Sequence, residues 1–264
     1  MSDAVEFAEG CLRLDLGRVA RLTLCRPAAR NAISFAMWNG LREAIEYISN
    51  AVTIRVLIVT GKGNKAFSAG ANITEFPTTY ETAAASATYN EAVHRAQAAL
   101  AELSIPTIAE VRGVCFGGGC GLAMHCDLRF ASETALFAIT PSRLGLAYPF
   151  EETARLVSLV GPARAKDILM SARVIKAQEA LAIGLVNRVM PERDLGTSVL
   201  DYAVGLASLS RSSIQIAKQT VEAITHGEKS ASTQLKSAIE STFSGPDFCE
   251  GYAAFIEKRV PKFE

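Results

Sequence analysis

Two glycine-containing segments are the part of this sequence best suited to chemistry. The first runs from Ala66 to Asn72 and the second from Gly113 to Gly121, and each follows a short apolar run that predicts a buried strand. Glycine lets backbone N–H groups approach a bound group closely because it has no Cβ. In the second segment these N–H groups also open a predicted helix, where unpaired donors favour negative charge. The segments therefore bind an anion, or they are tight turns that pack a helix against a strand.

The two common phosphate-binding motifs do not describe these segments. A Walker loop needs a lysine after its last glycine, but Gly119 follows Gly118 at that position. The dinucleotide fingerprint needs a third glycine after Gly61 and Gly63, and Ala66 stands there instead. A binding role for the segments therefore points to an oxyanion rather than to a phosphate.

Strand and helix patterns predict the elements that position these segments. Val19–Leu24 alternates apolar and polar residues like a half-buried strand, and Ser34 is placed to cap a following helix. The predicted strands are 19–24, 56–60 and 107–111, and the predicted helices are 35–48 and about 82–103. The order strand, helix, strand favours an α/β fold with a parallel sheet.

The spacing of apolar residues changes beyond about residue 194. From there the apolar residues recur at helical spacing, in segments 195–209 and 214–224 and from about residue 233. We therefore predict a core domain over residues 1–195 and a helical region over residues 196–264. The length of 264 residues is compatible with this division.

Composition argues against several classes of function. Lys plus Arg and Asp plus Glu number 27 each, so no net charge draws the molecule to nucleic acid or an anionic membrane. The six cysteines include no Cys-x-x-Cys pair, so we expect neither a metal site nor a disulfide framework. The first ten residues are acidic where a signal peptide would be basic. These features predict a cytoplasmic protein that binds neither nucleic acid nor membranes.

Five segments, in order along nearly the whole chain, resemble one known family. They are Arg26–Ala32, Ala66–Ile73, Gly117–Cys120, Ala182–Asn187 and Glu250–Arg259. Together they are similar to the crotonase (enoyl-CoA hydratase/isomerase) superfamily. The resemblance implies a ClpP-like spiral of β-β-α units and a C-terminal helical region that assembles trimers, often paired into hexamers. It also implies a coenzyme A thioester as substrate, with no separate cofactor.

The resemblance also assigns binding roles by position. The backbone N–H groups of Ala71 and Gly118 would form an oxyanion hole that stabilises a thioester enolate. The coenzyme A would lie along two segments and would pair with a cation of a neighbouring subunit. The implied binding residues are Arg30, Ala69, Gly70, Asn72, Ile73, Gly117 and Lys258, the last of these from the neighbouring subunit. Arg30 and Lys258 are equally compatible with solvated surface charges.

The sequence departs from the family where hydratases carry two catalytic glutamates. Those positions are Gly121 and Pro141 here, and neither residue transfers a proton. We therefore expect a non-standard reaction, or a protein that binds acyl-CoA without catalysis. A role for His125, one helical turn after Gly121, competes with that of a hydrogen-bonded structural histidine.

Three residues in the following segment are candidates to move a proton. The pattern Thr-Pro-x-x-Leu-Gly-x-x-Tyr that ends at Tyr148 is similar to the methylmalonyl-CoA decarboxylase branch, although that branch keeps a glutamate where this chain has Gly121. Glu151 and Glu152 replace family glycines, and a carboxyl in an apolar pocket has a raised pKa. Alternatively, Tyr148 is a packed aromatic and the glutamates only begin a helix.

Overall fold

The structure is a computed structural model and describes residues 3–263. Met1, Ser2 and Glu264, at the outer ends of the two predicted regions, lie outside the described residues. The strands are β1 Ala4–Phe7, β2 Leu12–Asp15, β3 Val19–Leu24, β4 Val56–Gly61, β5 Ala66–Ser68, β6 Thr107–Val111, β7 Val114–Phe116, β8 Leu128–Ser132, β9 Leu136–Ala138, β10 Ile175–Lys176 and β11 Arg188–Met190. The helices are α1 Phe35–Asn50, α2 Phe76–Thr79, α3 Ala83–Glu102, α4 Gly118–Met124, α5 Phe150–Val160, α6 Pro162–Ser171, α7 Ala177–Ala182, α8 Glu192–Ala207, α9 Arg211–Thr225, α10 Thr233–Thr242 and α11 Pro246–Glu257.

Three successive β-β-α units build the core. They are β4, β5 and α3, then β6, β7 and α4, then β8, β9 and α5. The first strand of each unit joins a seven-stranded sheet in the order β1-β2-β3-β4-β6-β8-β11, and the second joins a four-stranded sheet in the order β10-β9-β7-β5. The strands of neighbouring units pair in parallel in both sheets. This arrangement confirms the predicted spiral of β-β-α units.

The predicted elements appear at the expected positions, with one correction. Strands 19–24, 56–60 and 107–111 correspond to β3, β4 and β6, and the Ser34 hydroxyl caps α1 by accepting a hydrogen bond from the Met37 amide. Both glycine segments, however, contain a strand that the sequence did not predict. These are β5 and β7, and at three residues each they are too short to show a strand's alternation.

Helix α8 joins the C-terminal part of the chain to the core. Its residues Leu195, Val199 and Ala203 are buried against Ile58 and Phe130 of the seven-stranded sheet. The helix begins at Glu192 and ends at Ala207, so it runs across the predicted division at residue 195. Helices α9, α10 and α11 follow it, as the helical periodicity predicted. The division into two domains stays a prediction.

Candidate active site

Asn31 and Ser68 fix the start of the first glycine segment. The Asn31 carboxamide donates to the carbonyls of Ala66, at 2.8 Å, and Lys62, at 3.2 Å. The Ser68 hydroxyl donates to the Asn31 carbonyl at 2.8 Å and accepts from the Gly70 amide at 3.1 Å. Because Asn31 and Ser68 are buried, these bonds hold the segment, which begins with β5, firmly against the turn that contains Asn31.

Two backbone hydrogen bonds then set the direction of the Ala71 amide. Ile33 donates to the Gly70 carbonyl and accepts from the Asn72 amide, both at 2.8 Å, as in a parallel bridge. In such a bridge the groups on either side of the central residue face the partner strand, and the central N–H faces away from it. The Ala71 N–H therefore points away from Ile33 and towards the second glycine segment.

The second segment brings the Gly118 amide to the same place. Gly118 is the first residue of α4, so its N–H has no partner within the helix. A Cβ added to Gly70 would lie 3.2 Å from the Gly118 nitrogen, and one added to Gly118 would lie 3.7 Å from the Ala71 nitrogen. Within residues 3–263, no protein carbonyl accepts a hydrogen bond from the Ala71 or the Gly118 amide. Two unpaired donors therefore lie side by side.

Glycine is required where the two segments touch. Gly70 has a φ of +97°, and a Cβ there would lie 2.7 Å from the Phe116 carbonyl oxygen. Gly117 precedes α4 with a φ of +50°. Both conformations favour glycine, and the first also needs its small size. The glycines of these segments therefore bring the two backbone segments into contact.

A cavity of about 370 Å³ opens in front of these amides. Most of the predicted site residues line it: Ala69, Gly70, Ala71, Ile73, Gly117, Gly118, Pro141, Tyr148 and Glu152. Arg30, Asn72, Glu151 and Lys258 do not, and Gly121 lies behind its wall. The structure thus brings together residues that are up to 83 positions apart, from Ala69 to Glu152.

The space beside Gly121 is filled by two polar side chains from other elements. A Cβ added to Gly121 would meet the Gln97 Nε2 atom at 2.7 Å and the Tyr148 hydroxyl oxygen at 3.1 Å. Gln97 comes from α3, and Tyr148 comes from the segment before α5. The space that a side chain at position 121 would need is therefore taken by the carboxamide of Gln97 and the phenol of Tyr148.

Three buried polar atoms at the cavity have no hydrogen-bond partner among residues 3–263. They are Gln97 Oε1, the Tyr148 hydroxyl oxygen and Glu152 Oε2. Burial raises the pKa of the Glu152 carboxyl, and the neighbouring Glu151 charge adds to the shift. Burial also raises the pKa of the Tyr148 phenol well above its usual value. Buried polar atoms are normally paired, so three such atoms at one cavity mark a candidate functional site.

Glu151 and Glu152 differ sharply in position although they are adjacent on α5. The Glu152 side chain is buried at the cavity, whereas Glu151 is exposed. Both lie in the first turn of the helix, where acidic side chains are favourable. Of the two predicted candidates, the structure places only Glu152 where it can contact a ligand in the cavity.

The other predicted residues lie away from the cavity or have partners of their own. His125 Nδ1 is hydrogen bonded to the Gly121 carbonyl at 2.8 Å, and burial lowers its pKa to about 4. Asn72 donates to Glu75 at 2.8 Å, and Arg30 and Lys258 are exposed. His125 is therefore the structural histidine of the two alternatives.

Gln97 and the aromatic wall of the cavity were not among the features predicted from the sequence. Trp38 lines the wall and donates from its indole nitrogen to the Tyr89 hydroxyl at 3.2 Å. On α3, Tyr89, Val93 and Gln97 recur at intervals of four residues, so they share one helix face. A glutamine on that otherwise apolar stripe was the signal available in the sequence.

Two other kinds of feature are absent from residues 3–263. No group of three or more His, Cys, Asp or Glu side chains is placed to hold a metal ion. No helix in this part of the chain is both long and apolar enough to cross a bilayer.

Comparisons with known proteins all point to the same family. Residues 16–264 match the family model for enoyl-CoA hydratase/isomerase. A protein of Mycobacterium bovis named probable enoyl-CoA hydratase is 36% identical over 247 residues, which cover 93% of this chain and 94% of that one. The short-chain-enoyl-CoA hydratase of Clostridium acetobutylicum is 35% identical, with 92% and 93% covered.

A solved structure extends this likeness to three dimensions. An enoyl-CoA hydratase/isomerase family protein from Hyphomonas neptunium superposes with a TM-score of 0.93 at 34% identity, covering 96% of this chain and 97% of that one. The resemblance of the five sequence segments is thus confirmed over nearly the whole chain. The chain belongs to the enoyl-CoA hydratase/isomerase family of the crotonase superfamily.

Proposed function

We propose that this protein binds an acyl-CoA in the cavity and stabilises its thioester enolate between the Ala71 and Gly118 amides. The observation that carries the proposal is the meeting of these two unpaired N–H groups at the cavity wall. A thioester oxygen held there gains most from the two donors as it becomes anionic, because donors aimed at developing charge favour the transition state.

Glu152 is the proposed base of this reaction. Its carboxylate would take a proton from the acyl α-carbon, and the electrons of that C–H bond would move into the enolate, leaving its negative charge on the thioester oxygen. A raised pKa suits this role, because a base with a pKa nearer to the working pH accepts the proton more readily. Tyr148, whose buried hydroxyl has no partner among residues 3–263, would return a proton.

The overall reaction is proposed to be non-standard for the family. Gly121 and Pro141 stand where the resemblance implies catalytic glutamates, and Gln97 and Tyr148 fill the space beside Gly121. We therefore propose a lyase or isomerase reaction through the enolate, without a cofactor beyond the coenzyme A of the substrate. Hydration by a pair of glutamates is not part of the proposal.

Decarboxylation is the second candidate, because an unpaired phenol lies in the cavity. The C–C bond to a substrate carboxylate would break, CO₂ would leave, and the electron pair would form the same enolate. Tyr148 would then supply the proton to the α-carbon. An uncharged phenol also leaves the substrate's negative charge unbalanced, which favours its loss as CO₂.

The remaining predicted residues are proposed to bind coenzyme A or to form contacts between subunits. Arg30 and Asn72 are proposed to bind its phosphate and adenine portions, and Lys258 of a neighbouring subunit is proposed to pair with a phosphate. Phe255 and Tyr252 of α11 are exposed large side chains that a trimer or a pair of trimers would cover. The cytoplasmic location stays a prediction.

Exchange of the acyl α-protons in D₂O tests enolate formation whatever the later steps are. We expect exchange into butyryl-CoA well above the buffer rate. Gly118→Ala should slow it about 10²- to 10³-fold, because the methyl narrows the space between the Ala71 amide and the Trp38 ring. Gly205→Ala is the matched control, since a Cβ at Gly205 meets nothing within 4 Å.

Product analysis then separates the candidates. Crotonyl-CoA and methylmalonyl-CoA are incubated with the protein, and CO₂ release that is lost in Tyr148→Phe would favour the decarboxylase. Tight coenzyme A binding without exchange or turnover would favour a protein that binds acyl-CoA without catalysis. If no acyl-CoA binds, the proposal fails.

A further inference from the structure

Glu75 connects two segments that are far apart in the sequence and adjacent at the candidate site. One of its carboxylate oxygens accepts a hydrogen bond from the Phe35 amide, and the other accepts one from the Asn72 carboxamide, both at 2.8 Å. Phe35 is the first residue of α1, and Asn72 ends the first glycine segment. The half-buried Glu75 side chain therefore forms a bridge between the start of a helix and the segment that carries the Ala71 amide.

Helix α1 receives a negative charge at its start from Glu75 rather than from a residue of its own. The first amides of a helix have no partner within it, and acidic side chains are favourable beside them. The first turn of α1 contains no acidic residue, and the Ser34 hydroxyl accepts from the Met37 amide. The carboxylate that binds the Phe35 amide comes from 40 positions further along the chain, so this cap also joins two distant segments.

A second connection joins the same two segments at Ile33, two residues before α1. Ile33 donates to the Gly70 carbonyl and accepts from the Asn72 amide, and these bonds set the direction of the Ala71 N–H. A single connection leaves two segments free to pivot about it. The bridge through Glu75, four residues after Ala71, supplies a second connection and so fixes how the segment is oriented relative to α1.

The same helix also contacts the second amide of the site. Trp38 lies about one turn after Phe35 on α1, and its Cζ2 atom would lie 3.2 Å from a Cβ on Gly118. The spacing between the Ala71 and Gly118 amides therefore depends on where α1 lies relative to the first glycine segment. Such spacing matters, because a misplacement of about 1 Å in an active site costs roughly 100-fold in rate.

We infer that Glu75 is a positioning residue, which keeps the Ala71 amide aligned with the Gly118 amide by joining its segment to α1. The inference rests on the proposed function, because it takes the thioester oxygen to be bound by these two amides. Glu75 does not line the cavity, so it acts through the backbone and not by contact with the substrate. Donors that are held in place beforehand need no reorganisation when charge develops, which is the benefit that Glu75 provides.

The carbonyl signal of a bound thioester measures this alignment without depending on turnover. Butyryl-CoA labelled with ¹³C at its carbonyl carbon is bound to the protein, and hydrogen bonds to the carbonyl oxygen move the ¹³C resonance downfield because they withdraw electrons from the carbon. We expect this downfield shift in the wild-type protein. Glu75→Ala should remove about half of it or more and should slow α-proton exchange about 10- to 100-fold, because the bridge to α1 is lost.

An exchange of the two polar groups tests the hydrogen bonds themselves. In Glu75→Gln the carboxamide oxygen can accept from the Phe35 amide, but its NH₂ group then faces that of Asn72, so α-proton exchange should slow about 3- to 10-fold. Adding Asn72→Asp places an acceptor opposite this donor and restores both bonds at the same total charge. The double variant Glu75→Gln/Asn72→Asp should therefore recover the wild-type rate to within about twofold at saturating butyryl-CoA.

Two controls separate alignment of the amides from general damage and from coenzyme A binding. Glu43→Gln changes an exposed acid on the same helix, and it should leave the carbonyl shift and the exchange rate unchanged. Free coenzyme A has no thioester oxygen, so its Kd should stay within about twofold of the wild-type value in Glu75→Ala. If Glu75→Ala does not fold, the comparison of Glu75→Gln with the double variant decides.

The outcomes distinguish this inference from the proposed function. If the wild-type protein gives no downfield shift of the bound thioester carbonyl, the amides do not hold its oxygen, and both the inference and the proposed function fail. A wild-type shift that persists unchanged in Glu75→Ala overturns the inference alone. Failure of the double variant to recover exchange, or a loss of coenzyme A affinity as large as the loss of exchange, also overturns it, because Glu75 would then act by another route.

Discussion

Glu110 and Glu152 are both buried acids, but they lie in different regions with different surroundings. Glu110, on β6 of the seven-stranded sheet, is 2% exposed and accepts hydrogen bonds on both oxygens, from Arg21 at 2.7 Å and from Arg112. Glu152, at the cavity, is 3% exposed, and one of its oxygens has no partner in the described part of the chain. Two arginines therefore bind the Glu110 carboxylate in the sheet, whereas one Glu152 oxygen at the cavity has no partner among residues 3–263.

The difference separates a structural acid from a candidate base. A carboxylate held by two guanidinium groups contributes to stability through charge-assisted hydrogen bonds. A carboxyl without such partners is destabilised in its charged form, so its pKa rises and it binds a proton more readily. Variants of the two glutamates test whether its partners, rather than its burial, decide the role of a buried acid.

Glu152→Gln should produce the largest effect, on activity. Loss of the proposed base is expected to slow α-proton exchange about 10²- to 10⁴-fold. Exchange in the wild-type protein should rise with pH through a pKa above the usual range of a glutamate, because the carboxylate must be free to accept the proton. Initial rates of deuterium incorporation between pH 5 and 8 provide the measurement.

Stability and a neighbouring variant supply the controls for Glu152→Gln. The folded-state pKa of Glu152 is raised above the unfolded value, so its contribution to stability falls as pH rises through that interval. The variant should therefore be as stable as the wild-type protein at pH 7, or more so. Glu151→Gln should keep normal exchange, because Glu151 is exposed outside the cavity. Normal exchange in Glu152→Gln would disprove its role as the base.

His125 extends the comparison to a buried group that has a single backbone partner. Burial lowers its pKa from 6.5 to about 4, although the hydrogen bond to the Gly121 carbonyl opposes the shift. Between those pH values the unfolded chain binds a proton that the folded protein does not. The contribution of His125 to the free energy of unfolding is therefore fully present above about pH 6.5, and it falls by about 3 kcal/mol as pH falls towards 4.

Urea unfolding at pH 7 and at pH 4.5 measures this loss. His125→Gln should lose less stability than the wild-type protein over the same interval, because glutamine does not titrate. His94→Gln, at an exposed histidine, is the control and should follow the wild-type protein. An identical pH dependence in His125→Gln and the wild-type protein would contradict the explanation.

Glu110→Gln tests the other half of the comparison and should affect stability rather than chemistry. Arg21 and Arg112 would each lose a charged partner, at a cost of about 1.5 to 3 kcal/mol in the free energy of unfolding. Exchange of acyl α-protons should be unchanged at a temperature where the variant is folded. A loss of exchange with unchanged unfolding would reverse the roles that we assign to the two glutamates.

The fold could be predicted in large part from the sequence, because its signals are local. Strand β4 is a continuous buried run, and Ser34 caps α1 as its position indicated. The spiral itself came from the family resemblance, since β5 and β7 are only three residues long. Such short strands form because neighbouring units pair with them, which no local pattern records.

The parts of the candidate site that are formed by backbone groups could be predicted from the sequence. The parts that depend on how the helices pack could not. Ala71 and Gly118 follow from glycine segments that the sequence displays directly. Gln97 lies 24 positions before Gly121, and only the packing of α3 against α4 brings its carboxamide to that point. The contrast between Glu151 and Glu152 likewise depends on the orientation of α5 relative to the cavity.

Glu91→Gln should give the smallest effect and sets the baseline for the comparison. Glu91 accepts a hydrogen bond from Arg95 at 2.6 Å. Both residues lie on one exposed face of α3, and their side chains are 52% and 64% exposed, respectively. Exposed pairs four residues apart on a helix contribute about 0.3 to 0.5 kcal/mol, because water and salt screen both charges. Unfolding in 0.05 and 0.5 M NaCl should show a small loss that shrinks at the higher salt. A loss as large as that of Glu110→Gln would mean that contact with arginine alone, and not burial of the paired acid, determines the contribution to stability.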